Sequence, residues 1–339
     1  MSFYPFPNVF YSVLAVLLLS LLLLFAGCQT EGQSENKSGD SNPSTTMPVI
    51  EDSPFNVASG RLYRIHDYPS DHITPRNIDI WVPESHDTTR HAVLYMHDGQ
   101  MLFDGSTTWN GQEWNVDETL TRLMGEDSVP SIMVVGIWSN PDTRHSDYFP
   151  QKPFEQMSAA DKQAVMSAVR DQDSQLFRTD IASDGYLRFI TKELKPFVDA
   201  HFPTRPERRT TWTMGASMGG LISMYALAEY PEVFGGFGAV STHWPGIFEM
   251  DANPVPEAFL SYMDRELPAP GSHRLYFDFG TETLDAMYEP HQQRVDALVA
   301  SKGYTDADWM TRKFEGKDHS EASWSERFHI PVLFLTKDL

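Results

Sequence analysis

Eight short segments of the chain either alternate between apolar and polar positions or are rich in β-branched residues, and helical patterns lie between most of them. Alternation with many β-branched residues predicts strands, and apolar residues spaced three and four apart predict helices. Strands are predicted at 60–65, 77–82, 92–96, 131–138, 210–214, 236–241, 274–279 and 310–314, and helices at 115–124, 186–202, 221–230, 287–302 and 322–335. Pro196 lies inside the second helix, where it is expected to cause a kink.

This order of elements indicates an α/β protein. Two hairpin-like strands come first, and the later strands alternate with helices, which is typical of a mostly parallel sheet covered by helices on both faces. We therefore predict a mostly parallel, eight-stranded sheet. Ligands bind such sheets beyond the carboxyl ends of the strands, so residues that directly follow strands are the candidates for chemistry.

A G-x-S-x-G motif occupies residues 215–219, between a predicted strand and a predicted helix. Alone it is weak evidence, since it arises by chance in roughly one chain in ten of this length. Between a strand and a helix it is typical of a nucleophile elbow, a strained turn that exposes a serine hydroxyl. The helix N-terminus offers free N–H groups to an oxyanion. Ser217 is the candidate nucleophile and Met218 a candidate oxyanion-hole donor.

The candidate base and acid lie further along the chain, since α/β-hydrolases carry Ser, then Asp or Glu, then His. His319 follows the last predicted strand and precedes the last helix, which favours it as the general base. The acid should follow strand 274–279, where Glu282 and Asp285 are both within reach. Both remain open here, and the carboxylate that is not used is expected to be a helix N-cap or first-turn charge.

Residues 97–100 read His-Asp-Gly-Gln and follow the third predicted strand. A loop at this place supplies the second backbone N–H of the oxyanion hole in α/β-hydrolases. We expect Gln100 to be that donor, with Gly99 next, although a plain Asp-Gly turn would also explain the pattern. His97, Asp98 and Gly99 are predicted to contact the substrate.

Taken together, these motifs resemble the "putative esterase" family of α/β-hydrolases. The resemblance is carried by His-Asp-Gly-Gln-x-Leu-Phe-Asp at 97–104, Gly-x-Ser-Met-Gly-Gly at 215–220 and Gly-x-Asp-His at 316–319. Residues 143–150 are also similar to the family's Arg-x-x-x-Tyr-x-Pro segment, which borders the site and implies a substrate-binding role for Arg144. The resemblance covers about residues 55–339. Similar members read Gly-x-x-Thr-Leu-Asp in the acid loop, which favours Asp285 over Glu282.

The resemblance implies a serine carboxylic-ester hydrolase that needs no metal and no other cofactor. The family includes enterobactin-type siderophore esterases, feruloyl and acetyl-xylan esterases and S-formylglutathione hydrolases, and mycolyl transferases share its fold. A small-molecule or polysaccharide ester is the expected substrate, and the sequence leaves open which one. Acyl transfer to an alcohol or sugar, and a non-enzymatic surface lipoprotein on a hydrolase scaffold, are the alternatives.

Aromatic side chains and one long insertion lie on the predicted carboxyl side of the sheet. Five aromatic residues on these loops are expected either to form pocket walls or to belong to the core: Trp109, Trp114, Trp138, Phe149 and Trp244. Trp244 is included among the predicted substrate contacts, and His243 is another residue at a strand end that can line the pocket. The segment at about 150–185 is long, polar and helix-prone, so we predict a partial lid there.

The N-terminal segment has the pattern of an exported, membrane-anchored protein. Residues 13–25 are almost wholly apolar and are followed by Ala-Gly-Cys, which predicts a signal peptide at 1–27 and lipidation of Cys28. Residues 24–28 resemble a bacterial lipobox, the motif that precedes a lipidated cysteine, but Phe25 and the lack of a Lys or Arg before the apolar run depart from it. The alternative is that the apolar segment stays uncleaved as a membrane anchor. Residues 28–52 are predicted to be a lipid-anchored flexible tether, and 53–339 the catalytic domain. The expected location is periplasmic or at the cell surface.

Charge and cysteine content narrow the remaining possibilities. The formal net charge is −21, which argues against nucleic acid as a partner because both would be negatively charged. Cys28 is the single cysteine of the chain, so no disulfide can form within it.

Overall fold

The computed structural model describes residues 48–84, 89–171, 174–249 and 251–339. The predicted signal peptide, Cys28 and nearly all of the predicted tether lie outside the described residues. Within these ranges, no helix combines the length and the apolar character that crossing a membrane requires.

Nine strands form the central sheet of the described chain. They are β1 (Glu51–Asp52), β2 (Arg61–Tyr68), β3 (Arg76–Val82), β4 (Ala92–His97), β5 (Ile132–Ile137), β8 (Thr211–Ala216), β9 (Gly236–Val240), β10 (Arg274–Phe279) and β11 (Trp309–Lys313). A separate antiparallel pair, β6 (Val169–Asp171) and β7 (Ser174–Gln175), lies in the predicted lid region.

The strand order is β1-β2-β3-β5-β4-β8-β9-β10-β11. The pairs from β1 to β5 are antiparallel, whereas β5 and all strands beyond it are parallel to one another. The mostly parallel α/β sheet is therefore confirmed, but the count of eight strands was wrong. The additional strand is β1, which lies inside the predicted tether and pairs with β2 through Glu51 and Arg64. Two residues are too short to show a period of two, so the sequence pattern missed it.

Eleven α-helices accompany the strands in the described ranges. They are α1 (Val116–Gly125), α2 (Arg144–Tyr148), α3 (Gln151–Glu155), α4 (Ala159–Met166), α5 (Ser183–Arg188), α6 (Lys195–His201), α7 (Met218–Glu229), α8 (Val255–Glu266), α9 (Glu289–Ser301), α10 (Glu321–Arg327) and α11 (His329–Thr336). A π-helical segment, Phe189–Leu194, joins α5 to α6 without a break.

Prolines explain where two predicted helices differ from the observed ones. Pro196 lacks an N–H for the carbonyl four residues earlier, and the helix adopts π geometry directly before it. Pro331 cannot donate to the carbonyl of Arg327, and the predicted helix 322–335 is divided into α10 and α11 at Phe328. At Pro196, where the sequence predicted a kink, the structure thus shows a change from α-helical to π-helical hydrogen bonding.

Apolar side chains fill a core on each face of the sheet. Along β5, Met133 and Val135 belong to one buried cluster, and Ile132 and Val134 belong to the other. Burying each such side chain fully stabilises the fold by about 1.5–3 kcal/mol relative to leaving it in water. Because both faces are covered, the central strands β4 and β5 are almost wholly apolar, whereas β2 nearer the sheet edge mixes apolar and charged residues.

The sheet reverses its strand order at β4. From β4 the chain continues to β5 on one side, and it later returns to β8 on the other. The carboxyl ends of these three strands therefore border a crevice, which is where α/β sheets bind ligands.

Candidate active site

Ser217 lies in a sharp turn between β8 and α7. Its backbone has φ 59° and ψ −120°, a conformation that residues with a side chain rarely adopt. Gly215 allows the turn to be this tight, since a Cβ there would lie 2.9 Å from the backbone of Gly219. The Ser217 N–H donates to the Val240 carbonyl at 2.9 Å, which ties the turn to the neighbouring strand β9.

Asp285 and His319 form a close hydrogen-bonded pair beside this turn. Asp285 lies on a short 3₁₀ turn, Thr283–Met287, after β10, and its Oδ1 is 2.5 Å from the Nδ1 of His319. The carboxylate is wholly buried. Its other oxygen accepts the Gly280 N–H at 2.6 Å and the Ser241 hydroxyl at 2.5 Å. Both oxygens therefore have partners, which a buried carboxylate requires.

Glu282 does not reach the histidine. Its side chain is exposed, and its backbone N–H bonds to the Lys317 carbonyl at 3.0 Å. It is the N-cap residue of the 3₁₀ turn, but its side chain makes no cap hydrogen bond. The structure thus separates the two carboxylates that the sequence left open.

His319 lies on the loop between β11 and α10, as its motif predicts. Its backbone N–H donates to the Thr283 hydroxyl at 2.9 Å, so the histidine loop is joined to the acid loop. Its ring packs edge-on against two aromatic rings, with centroid distances of 5.8 Å to Tyr288 and 5.0 Å to Trp324. These contacts restrict the orientation of the imidazole.

A buried hydrogen-bond network stands behind Asp285. The Ser241 hydroxyl, which donates to Asp285, accepts from Arg327 Nη2 at 2.8 Å and from Trp324 Nε1 at 3.0 Å. Arg327 also pairs with the buried Asp278. Burial raises the pKa of Asp278 and the Arg327 charge opposes that rise. Because every link is buried and hydrogen-bonded, the network holds the Asp285 carboxylate in one orientation.

The two expected oxyanion-hole donors both lie at the start of a helical turn. Met218 is the first residue of α7, and Gln100 is the second residue of the 3₁₀ turn Gly99–Met101. First-turn N–H groups have no acceptor within their own helix. The Gln100 side chain is fixed by two hydrogen bonds to Ser139, from its Nε2 to the hydroxyl at 2.8 Å and from the Ser139 N–H to its Oε1 at 3.1 Å.

Arg144 holds the start of the Gln100 loop. Its guanidinium forms two hydrogen bonds with Asp98, of 2.7 and 2.8 Å, and Asp98 has the left-handed conformation, φ 56°. Burial alone would raise the pKa of Asp98, but the Arg144 charge and hydrogen bonds bring it below its usual range. The Asp98 N–H donates to the Tyr148 hydroxyl at 3.2 Å. Arg144 and Tyr148 thus both come from the segment 143–150.

A cavity of about 880 Å³ opens over these groups. Its wall includes Ser217, Met218, His319 and Gln100, together with Arg144, Asp98 and His97. Both ring nitrogens of His97 are already within hydrogen-bond distance of protein hydroxyls, at 2.8 Å from Tyr186 and 3.0 Å from Thr213. Burial lowers the pKa of His97 to about 3, so it is neutral at physiological pH.

Two of the predicted substrate contacts lie away from the cavity wall. Gly99 packs against β5, where a Cβ would lie 2.5 Å from the backbone of Gly136. Trp244 is a core residue whose Nε1 donates to Gln292 at 2.8 Å. Neither residue lines the cavity as the predicted substrate contact would require, because position after a strand does not tell which way a residue faces. Of the other loop aromatics, Trp109 and Trp114 line the cavity, whereas Phe149 is fully buried.

The comparison with known proteins decides the family. The family described as "Putative esterase" matches residues 73–330, well over half of the chain. The chain belongs to this family. The protein YbbA of Bacillus subtilis (strain 168), described as uncharacterized, is 24% identical over 264 residues, which is 75% of this chain and 89% of that protein.

Solved structures of esterases share the fold at low sequence identity. The enterobactin esterase FES from Shigella flexneri has a TM-score of 0.58 at 17% identity, over 86% of this chain and 63% of that chain. The ferulic acid esterase AmCE1/Fae1A from Anaeromyces mucronatus has a TM-score of 0.54 at 15% identity, over 89% and 97%. These likenesses show an α/β-hydrolase fold, and membership of the esterase family makes the protein a carboxylic ester hydrolase.

The side chain of Tyr288 lies next to the site, although the sequence assigned it no role. Tyr288 is buried beside Ser217 and His319. Burial raises the pKa of its phenol well above the usual value, and the negative charge of Asp285 raises it further. A hydrogen bond with the Ser217 hydroxyl lowers this pKa in part. The Tyr288 hydroxyl is 2.9 Å from His243 Nδ1. No motif marks Tyr288, but its place directly after the acid turn is a usable signal.

The predicted lid region does border the esterase cavity. Arg170, Ser174, Gln175, Leu176 and Arg178, from the β6–β7 pair and the residues after it, form one side of the cavity wall. The other side comes from the loop around residues 109–114 and from the start of α10. Within the described ranges no cluster of three or more His, Cys, Asp or Glu side chains is arranged to hold a metal ion.

Proposed function

We propose that this esterase is a serine hydrolase in which Ser217 is the nucleophile, His319 the general base and Asp285 the acid. One observation carries the proposal. His319, hydrogen-bonded to the buried Asp285, borders the same cavity as the strained serine turn, with the two first-turn residues Met218 and Gln100 on the same wall. This is the set of parts that acyl transfer through a serine requires.

The reaction proceeds in two half-reactions. Ser217 Oγ attacks the ester carbonyl carbon while His319 Nε2 accepts the hydroxyl proton. The oxyanion of the tetrahedral intermediate accepts hydrogen bonds from the N–H groups of Met218 and Gln100. His319 then gives the proton to the departing alcohol, which leaves an acyl ester on Ser217. Water attacks this ester with the same proton transfers, releasing the carboxylic acid and free serine.

Asp285 acts through His319. Its Oδ1 accepts a hydrogen bond from the Nδ1–H of His319. This hydrogen bond selects the histidine tautomer with a free Nε2 and stabilises the imidazolium that forms. The Gly280 N–H and the Ser241 hydroxyl keep the carboxylate in place. The acid is thus oriented from both sides.

Hydrolysis of p-nitrophenyl acetate and butyrate by the full-length chain tests the proposal. Ser217→Ala should lower kcat by at least about a thousandfold, because the residual rate then comes from binding and the oxyanion hole alone. Ser174→Ala is the matched control, since Ser174 also lines the cavity and should keep full activity. If Ser217→Ala retains wild-type kcat, the assignment fails.

We also propose that the β6–β7 segment limits substrate size as a partial lid. It forms one wall of the cavity, and Arg170 and Gln175 within it are exposed, so the segment can be replaced without disturbing the core. Replacing residues 170–175 by a short Gly-Ser turn should broaden the range of acyl chain lengths accepted. Unchanged chain-length selectivity with unchanged stability contradicts the lid.

A location outside the cytoplasm, through lipidation of Cys28, is a further proposal. The apolar segment 13–25 and the following Ala-Gly-Cys support it. Metabolic labelling with a fatty-acid analogue should mark the wild-type chain and not Cys28→Ser. Equal labelling of both proteins excludes lipidation at this residue.

A further inference from the structure

Trp109 stands in water at the mouth of the cavity. Its side chain is 85% exposed, whereas the other seven tryptophans of the chain are buried or half-buried. It belongs to the cavity wall that also contains Ser217 and His319. Exposure of a large aromatic surface to water is unfavourable for the free protein. A ligand that covers the indole would remove this unfavourable contact and gain binding free energy.

The loop that carries Trp109 is held by hydrogen bonds on the N-terminal side of the indole. Asp104 Oδ1 accepts the Ser106 N–H at 3.0 Å, and its Oδ2 accepts the Asn56 N–H at 3.0 Å. The Thr107 and Thr108 hydroxyls donate to the carbonyls of Asp104 and Gly105. The indole is therefore presented by a defined turn, which reduces the conformational entropy that a ligand must overcome on binding.

On its C-terminal side the loop is joined to the histidine segment. Asn110 Nδ2 donates to Glu321 Oε2 at 2.8 Å, and Gln112 Oε1 accepts the Ala322 N–H at 3.1 Å. Because α10 begins two residues after His319, these bonds fix the indole relative to the general base.

The polar groups around Trp109 match a neutral ligand with many hydroxyls. Asn110, Gln112 and Glu321 all lie on the cavity wall, and beyond the loop hydrogen bonds above they keep a second Nδ2–H, the Nε2 amide and the Oε1 oxygen for a ligand. The charged side chains of the wall balance, with the cations Arg144, Arg170 and Arg178 and the anions Asp98, Asp142 and Glu321. An unsubstituted aryl group has no atoms that could form hydrogen bonds with these amides. A polyanion is disfavoured because the protein has a net charge of −21.

We propose that Trp109 is the stacking platform of a binding subsite for a neutral pyranose ring, so that the esterase acts on esters of saccharides. The apolar C–H face of the sugar covers the indole, and its hydroxyls bond to the amide groups of Asn110 and Gln112. The cavity of about 880 Å³ has room for a sugar unit beyond a short acyl group. The ester-cleavage part rests on the proposed function, but saccharide binding can be measured without catalysis.

Acrylamide quenching of tryptophan fluorescence tests the subsite directly, using the full-length Ser217→Ala protein. Trp109 dominates the accessible emission because of its exposure. A neutral tetrasaccharide (cellotetraose, xylotetraose or maltotetraose) should lower the quenching slope, and it should have no effect in the Ser217→Ala/Trp109→Ala protein. Protection by none of the three sugars overturns the proposal, as does protection by 4-hydroxybenzoate alone, which would indicate an aryl subsite.

Kinetics separate a sugar-binding role from a structural one. Trp109→Ala should lower kcat/KM for an acetylated tetrasaccharide by about tenfold, the size of one lost aromatic contact, and leave kcat/KM for ethyl acetate unchanged. Leu333→Ala is the control, since Leu333 is also exposed but lies on α11 and not on the cavity wall. Equal losses on both substrates contradict the subsite. Wild-type activity in Ser217→Ala contradicts the mechanism and leaves the binding result standing.

Discussion

Ser217 is held in a strained backbone conformation that its neighbours stabilise. A non-glycine residue with such angles costs about 1–3 kcal/mol. Its N–H donates to Val240, and its carbonyl accepts from the N–H groups of Gly220 and His243, at 3.0 and 3.2 Å. These bonds fix the backbone of the turn in the free protein, which is consistent with the proposed role of its hydroxyl as a nucleophile.

The choice of acid is tested by a matched pair of substitutions. Asp285→Asn should lower kcat for p-nitrophenyl butyrate by about ten-thousandfold, because an amide no longer selects the productive histidine tautomer. Glu282→Gln should change kcat less than about twofold, since that side chain is exposed and the histidine bonds to Asp285 instead. Similar losses in the two variants would show that the hydrogen-bond geometry has been misread.

At this scale the sequence predicts the position of a residue along the chain better than its direction. Ser217 and His319 each stand in a motif between a strand and a helix, so local pattern suffices to bring them to one edge of the sheet. Asp285 and Glu282 lie on one loop, and they differ because Asp285 accepts a hydrogen bond from Ser241, which is 44 residues away in the sequence. Such a distant contact is not visible in the local pattern. Trp244 follows a strand yet points into the core, which no local pattern reveals.

At the scale of elements, the Gln100 loop depends on Arg144 from another loop. The two hydrogen bonds from the guanidinium to Asp98 need the planar fork of arginine, and lysine cannot reproduce them. Arg144→Lys should therefore lower kcat for p-nitrophenyl butyrate by about tenfold or more through a displaced oxyanion donor, with a smaller change in KM.

Arg178→Lys is the control for this prediction. Arg178 also lies on the cavity wall and pairs with Asp142, but both side chains are more than half exposed, so the pair contributes little. A loss of kcat in Arg178→Lys equal to that in Arg144→Lys would point to the charge of the cavity rather than to the Gln100 loop.

Helix positions were predictable where a long apolar run has clear ends. The helix α7 was found because such a run follows the serine motif and stops at Pro231. The helix α8 was missed, although Val255, Phe259, Tyr262 and Met263 are buried at helical spacing. The π segment before Pro196 depends on hydrogen bonds that an apolar period does not describe.

At the scale of the whole molecule, one buried carboxyl links stability to pH. Burial raises the pKa of Asp117 to about 7, a hydrogen bond from the Ala58 N–H opposes the rise, and Glu118 adds to it. An unfolded aspartate titrates near 3.9. The folded state therefore binds the proton more tightly, and this group's contribution to stability falls as pH rises from about 4 to 7.

Asp117→Asn should remove that pH dependence. Asparagine keeps an oxygen acceptor for the Ala58 N–H but carries no charge to bury. In urea unfolding, the variant should match the wild type near pH 4.5 and exceed its free energy of unfolding by about 1–3 kcal/mol at pH 8. Glu126→Gln, on the exposed end of α1, is the control and should leave the pH dependence unchanged. A variant that is less stable than the wild type at pH 8 contradicts the account.

The overall architecture was predictable because its signals are repeated along the chain. Strands at regular intervals with helices between them allow few topologies other than a parallel sheet. The short β1 gave no such signal, and its pairing with β2 is decided by the register of the whole sheet edge. The tether therefore joins the sheet earlier than composition suggested.

The central claim is that Ser217 is the nucleophile, and covalent labelling tests it most directly. The full-length protein is treated with a fluorophosphonate, and the adduct is located by peptide mass spectrometry. We expect one adduct, on Ser217, which is absent in Ser217→Ala and forms much more slowly in His319→Ala because the base is missing. An adduct on a different residue, or unchanged labelling of Ser217→Ala, would contradict the account.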